Sequence, residues 1–146
     1  MTFARVSIRL PLFLALAATL FFAAAGCGGP RTYRVNGTQR DPGADATIQI
    51  ENISGGNHMV TITVRHLTPP DRLGEGNTTF MVWIRPANGP AALESQLEYN
   101  ADTREGTATA TTPHPRFTVL ITAERDPNSP PSGPSDSVVF EQEVEL

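Results

Sequence analysis

The sequence predicts an all-β domain, a two-sheet antiparallel sandwich preceded by an apolar leader helix. Three observations carry this. Thr, Val and Ile recur in short runs of alternating polarity, the period-two pattern of half-buried strands. Clusters of Pro and Gly separate those runs, as turns do. No internal repeat and no coiled-coil heptad appears along the chain.

The elements follow in order. Arg5 and Arg9 form a short basic start, and the stretch 10–25 carries no charge. It is shorter than the ~20 residues that span a bilayer comfortably, and Gly26, Gly28, Gly29 and Pro30 stop it. Residues 1–26 therefore read as a secretory signal peptide. Residues 27–45 are expected as a flexible tether around a short strand at 33–38. The sandwich is expected over 46–146. In 46–53, Ala46, Ile48 and Ile50 face one way and Thr47, Gln49 and Glu51 the other. Ser54-Gly55-Gly56-Asn57 turns the chain into 58–67, with Val60, Ile62 and Val64 inward, to make a hairpin. Two prolines and two glycines make 68–77 a loop.

Next comes 78–85, with Phe80, Met81, Val82, Trp83 and Ile84 consecutive. A run that is apolar on both faces suits a central strand, with Trp83 as its main core residue. Segment 91–99 reads two ways. Leu93 and Leu97 fit a helix at i, i+4, whereas Leu93, Ser95, Leu97 and Tyr99 fit a strand with Glu94, Gln96 and Glu98 outward. The strand is expected, because its neighbours are strands. A thin Thr/Ala strand at 107–112 ends at Pro113-His114-Pro115. Strand 116–125 sets Phe117, Val119 and Ile121 against Thr118, Leu120 and Thr122. Four prolines make 126–136 a surface loop. Strand 137–146 points Val138, Phe140, Val144 and Leu146 inward and Glu141, Glu143 and Glu145 outward. Seven to eight short strands make an immunoglobulin-like two-sheet sandwich the natural package.

Composition bounds the function. The part beyond residue 26 has nine arginines, no lysine and fifteen carboxylates, a net charge of −6. That excludes a nucleic-acid partner and a polybasic membrane patch. Cys27 is the only cysteine, so the domain folds without a disulfide and has no thiolate zinc site.

Residues suited to catalysis are scattered. His58 and His66 lie eight apart on one expected strand, about 26 Å end to end, too far to share a metal. His114 sits between two prolines. Ser54, Ser129, Ser132, Ser135 and Ser137 fall in turns or at a strand edge, and no Gly-x-Ser-x-Gly elbow is present. Glu141, Glu143 and Glu145, like Glu94 and Glu98, form stripes that read as solvated faces. Asp71, Glu75, Asp102 and Asp126 lie in loops, without the Asp-x-Asp-x-Asp-Gly pattern of a calcium loop. The sequons at Asn36, Asn52 and Asn77 read as chance. No catalytic residue, metal or cofactor is expected. Loops 68–77 and 126–136 are the expected contact surfaces for an envelope protein partner.

Two resemblances add to this. Ala24-Ala25-Gly26-Cys27, directly after the apolar run, resembles the lipobox of bacterial lipoproteins, with Ala24 where that family most often has Leu. The resemblance implies a diacylglyceryl thioether on Cys27, cleavage before it, and acylation of the new amino group. The partner is then the lipid bilayer, and several acyl chains give firm anchoring where one is marginal. Gly28, where an Asp would signal retention at the inner membrane, implies the outer membrane of a bacterial cell envelope.

The second covers about 78–140. Val82-Trp83-Ile84, then Phe117-Thr118-Val119-Leu120-Ile121-Thr122-Ala123-Glu124 and the Pro127–Pro134 run (Pro-Asn-Ser-Pro-Pro-Ser-Gly-Pro), resemble the extracytoplasmic domain of anti-sigma-K factor-type proteins. This implies a β-sandwich outside a membrane and no more; it prompts, as an alternative role, an envelope-stress signalling accessory, with a metal-binding protein or hydrolase as the third reading. The chain has no His-x₃-Cys-x₂-Cys motif. The leading expectation is a non-enzymatic, membrane-anchored binding or structural module.

Overall fold

The computed structural model describes residues 29–146. The expected signal peptide 1–26, its helix and Cys27 lie outside the described residues. Nine strands form: β1 Arg31–Asn36, β2 Asp45–Asn52, β3 His58–Arg65, β4 Thr79–Pro86, β5 Ala92–Gln96, β6 Glu98–Asn100, β7 Glu105–Thr112, β8 Arg116–Glu124 and β9 Val138–Glu145. They make two sheets, ordered β1-β2-β3-β7-β6 and β5-β4-β8-β9, with every pairing antiparallel. Without β1, this is the A-B-E-D against C′-C-F-G order of an immunoglobulin-like sandwich.

The inward faces are those that the alternation predicts. Ile48, Val60, Ile62 and Val64 meet Phe80, Val82, Phe117, Val119 and Ile121, all buried between the sheets. Burying each such side chain is worth about 1.5–3 kcal/mol. At one border of the core the Phe80 and Tyr99 rings meet edge to face, 5.2 Å apart.

Four expectations need correction. First, the domain begins at Arg31, well before residue 46. β1 pairs with β2 from Arg31↔Ile50 to Asn36↔Asp45, so most of the expected tether is sheet and hairpin. β1 is itself an edge strand, and contacts to the other sheet help hold it there. β1 lies beside β9, whose carbonyls accept from Arg31 Nη1 (Glu145 O, 2.6 Å), from the Thr38 amide (Val139 O, 2.8 Å) and from Thr38 Oγ1 (Val138 O, 2.7 Å). With β1 the described residues hold nine strands, one above the expected range, because 91–99 makes two.

Second, Trp83 is buried, at 1% exposure, but not between the sheets. It joins Met81 and Leu120 in a separate cluster, while its neighbours Phe80, Val82 and Ile84 face the main core. Alternation forces this, since residues 82 and 83 point to opposite faces. The indole N–H donates to Thr122 Oγ1 at 2.8 Å, which satisfies its one polar atom.

Third, 91–99 is extended as expected, but as two strands, β5 and β6, broken at the buried Leu97 where the chain passes from one sheet to the other. A bulge sets Ser95 opposite Val82 and Leu93 opposite Trp83, with Glu94 extra. Leu93 is thereby turned out and is 38% exposed. Fourth, a bulge in β9 sets Phe140 opposite Ile121 and Val138 opposite Thr122. The extra residue Val139 enters the core, and Val138 packs on the Trp83 cluster. Loop 68–77 holds one helical turn, Pro70–Leu73, with proline in its first turn.

The strand directions give the sandwich two unlike ends, about 25 Å apart for eight-residue strands. Residues 29–30 and the connections 53–57, 87–91 and 113–115 lie at one end. The connections 37–44, 66–78, 101–104 and 125–137 lie at the other.

Candidate functional site

The long connections converge at the end away from the chain entry. Arg40, in the β1–β2 hairpin, reaches both loops singled out in the sequence. Its Nη1 donates to Leu73 O at 3.0 Å and its Nη2 to Asp136 O at 3.3 Å. The neighbouring Asp41 is buried, and its carboxylate accepts from the Thr68 amide (2.7 Å) and from Thr68 Oγ1 (3.0 Å). Bonds to a charged group are worth about 1.5–3 kcal/mol, so this pair holds the start of loop 68–77 firmly. Gly37 makes the hairpin tight, because a Cβ there would land on the Asp41 carbonyl.

A second clasp comes from the β6–β7 connection. Arg104 sits at φ 57°, the left-handed region that costs a non-glycine residue free energy. In that conformation its Nε donates to Leu67 O (3.2 Å) and its Nη2 to His66 O (2.7 Å), while its own carbonyl accepts from the Leu67 amide. The Tyr99 hydroxyl also donates to Leu67 O, at 2.9 Å. Burial pushes the Tyr99 hydroxyl above the ordinary tyrosine value. The Arg104 guanidinium pulls it back, and the Asp41 and Asp71 carboxylates push it up further.

Loops 66–78 and 125–137 enclose a cleft of about 510 Å³. Glu75, Glu124, Asp126 and Asp136 line it, with Ser129 and Ser135. Glu124 is only 5% exposed at the end of β8, and its Oε1 accepts from the Ser135 amide at 3.2 Å. Asn77 is 7% exposed, and its Nδ2 has no hydrogen-bond partner. Burial of this kind is costly, about 1–3 kcal/mol.

The sequence-predicted residues distribute as follows. Loops 68–77 and 126–136 meet in one cleft, which brings Glu75 and Asp126 together. Asp71 and Asp102 lie at the same end but do not line the cleft. His66 lies just past β3 in the left-handed region, its Nδ1 2.6 Å from Asp45 Oδ1. His58 pairs with Asn52 Oδ1 at 2.8 Å at the opposite end, the end that also carries His114. No histidine lines the cleft, so its serines have no imidazole base there. Among the described residues, no group of three or more His, Cys, Asp or Glu is placed to hold a metal ion. Among the same residues, no helix is long and apolar enough to cross a membrane. What the arrangement can do is present a braced, polar, mostly acidic surface.

Arg40, Asp41, Arg104 and Asn77 were not singled out as a group in the sequence. Nothing local marks Arg40, Asp41 and Arg104, since each acts on a loop that is distant along the chain, and nothing in the sequence marks Asn77 as buried. Glu124 stood out only as the last residue of the Thr122-Ala123-Glu124 motif. Compared with known protein families, with curated proteins and with solved structures, the chain finds no match.

Proposed function

We propose that this chain is a bacterial cell-envelope lipoprotein. Cys27 carries the lipid, and the immunoglobulin-like sandwich is a non-enzymatic binding or structural module at the outer membrane. One observation carries the reading. A basic start and an uncharged apolar run lead directly into Ala24-Ala25-Gly26-Cys27, the only cysteine of the chain. The thiol supplies the nucleophilic sulfur that lipidation needs, and small neighbours admit the peptidase to the backbone. The loop end, braced by Arg40, Asp41 and Arg104, is the face offered to an envelope protein partner. Its connections carry five exposed carboxylates, Asp71, Glu75, Asp102, Asp126 and Asp136, against four arginines, of which Arg40 and Arg104 are engaged with loop carbonyls. That balance favours a cationic partner surface.

Intact-mass analysis of the protein from its native host tests the anchor. The expected species begins at Cys27 and carries acyl mass, and Cys27→Ala abolishes both the acyl mass and membrane retention. A chain with an unmodified thiol would overturn the reading.

A further inference from the structure

We infer, on the reading that Cys27 is acylated, that the sandwich lies with its chain-entry end against the bilayer surface and its loop end outward. Chain length sets the first limit. Only Gly28, Gly29 and Pro30 separate Cys27 from Arg31, the first residue of β1. Four residue steps span at most about 14 Å. β1 is fixed in the sheet by pairing along its whole length, so the leash cannot lengthen without breaking the ladder.

The composition of that end sets the second. Connections 53–57, 87–91 and 113–115, together with Gly29 and Pro30, hold no Asp, Glu, Arg or Lys. The opposite connections hold ten charged residues. A carboxylate pressed toward headgroups loses hydration, and an anionic surface repels it. The connections of the entry end carry neither cost. Arg31, Arg85 and Arg116 stand at the strand ends behind it, level with Glu51, Glu143 and Glu145, so the strand ends add no net charge for an anionic leaflet to repel. Ile53, the first residue of the β2–β3 connection, is 38% exposed, and it is one of two large apolar side chains so exposed among the described residues. At this end of the sandwich its apolar contact with the headgroup boundary adds to the acyl anchor. The occupant of this end is therefore a lipid surface, with the acidic cleft held about 25 Å above it.

The test uses the full-length lipidated protein in vesicles of equal parts phosphatidylcholine and phosphatidylglycerol, doped with a headgroup-linked energy acceptor. Asn88→Cys and Asp102→Cys place a donor fluorophore at opposite ends, on exposed positions outside the strands. The expected result is several-fold stronger transfer from position 88 than from position 102. Equal transfer, or stronger transfer from 102, overturns the orientation. Intact mass and vesicle flotation separate the two failures. An acylated protein that floats but shows equal transfer defeats the orientation alone, whereas a protein without acyl mass defeats the anchor and the orientation together.

Discussion

The point where the chain leaves one sheet for the other gives a sharp test of the packing. Gly106 on β7 lies against Leu97, the buried residue between β5 and β6, which is 1% exposed. A Cβ at 106 would stand 2.6 Å from Leu97 Cδ2 and 2.9 Å from Cγ. Apolar carbons rest about 3.5–4.0 Å apart, so Leu97 would have to retreat by about 1 Å. It has little freedom to do so, because its amide donates to Phe80 O at 2.9 Å. Overpacking of this kind costs about 1–3 kcal/mol, so Gly106→Ala should lower the urea midpoint by about 1 M with an unchanged slope. Leu97→Ala should cost about 2–5 kcal/mol through the cavity it leaves. The decisive measurement is the double variant. If the methyl and the leucine compete for one space, Gly106→Ala in the Leu97→Ala background should cost nothing or stabilise, a coupling of about 1–3 kcal/mol. Additive costs, or a neutral Gly106→Ala, would refute the packing argument.

Three further outcomes follow from the same geometry. Thr122→Val leaves the buried Trp83 indole N–H without its acceptor; the expected loss is about 1–3 kcal/mol in denaturant unfolding, read by the emission of this sole tryptophan. Tyr99→Phe removes a hydroxyl whose folded-state value lies above 10.0, so its contribution is fully present below pH 10 and is lost as pH rises through the folded value. The wild type should therefore exceed the variant by about 0.5–1.5 kcal/mol at neutral pH and lose that margin in the alkaline limb; a margin constant to high pH would contradict the assignment. Arg40→Ala frees Leu73 O and Asp136 O together, so hydrogen exchange and proteolysis should rise in both 68–77 and 126–136 while the strands stay protected.

The fold class was legible because the signal is local. Alternation in β2, β3, β7 and β8 marks their inward faces residue by residue, and Pro/Gly clusters mark the connections. The errors arose where structure is set by distant partners. A single extra residue, Glu94 or Val139, shifts the phase of alternation, and only the partner strand shows that it is extra. β1 looked like a tether because its polar side chains are explained by what they reach, the carbonyls of β9 more than a hundred residues later. The candidate site was partly legible. Loop composition marked 68–77 and 126–136 as surface, but their meeting in one cleft depends on antiparallel strand directions. Their bracing depends on Arg40 and Arg104, whose contacts no spacing reveals.

The placement of β1 also governs how the molecule would carry tension. A force entering at Arg31 and opposed at the far loops runs parallel to the strand, so the six paired positions between β1 and β2 are strained together as a lap joint. Peeling, in which rungs fail one after another, would require a pull across the strand. A body hung by its first strand in this way resists drag on its outer end with the whole seam at once.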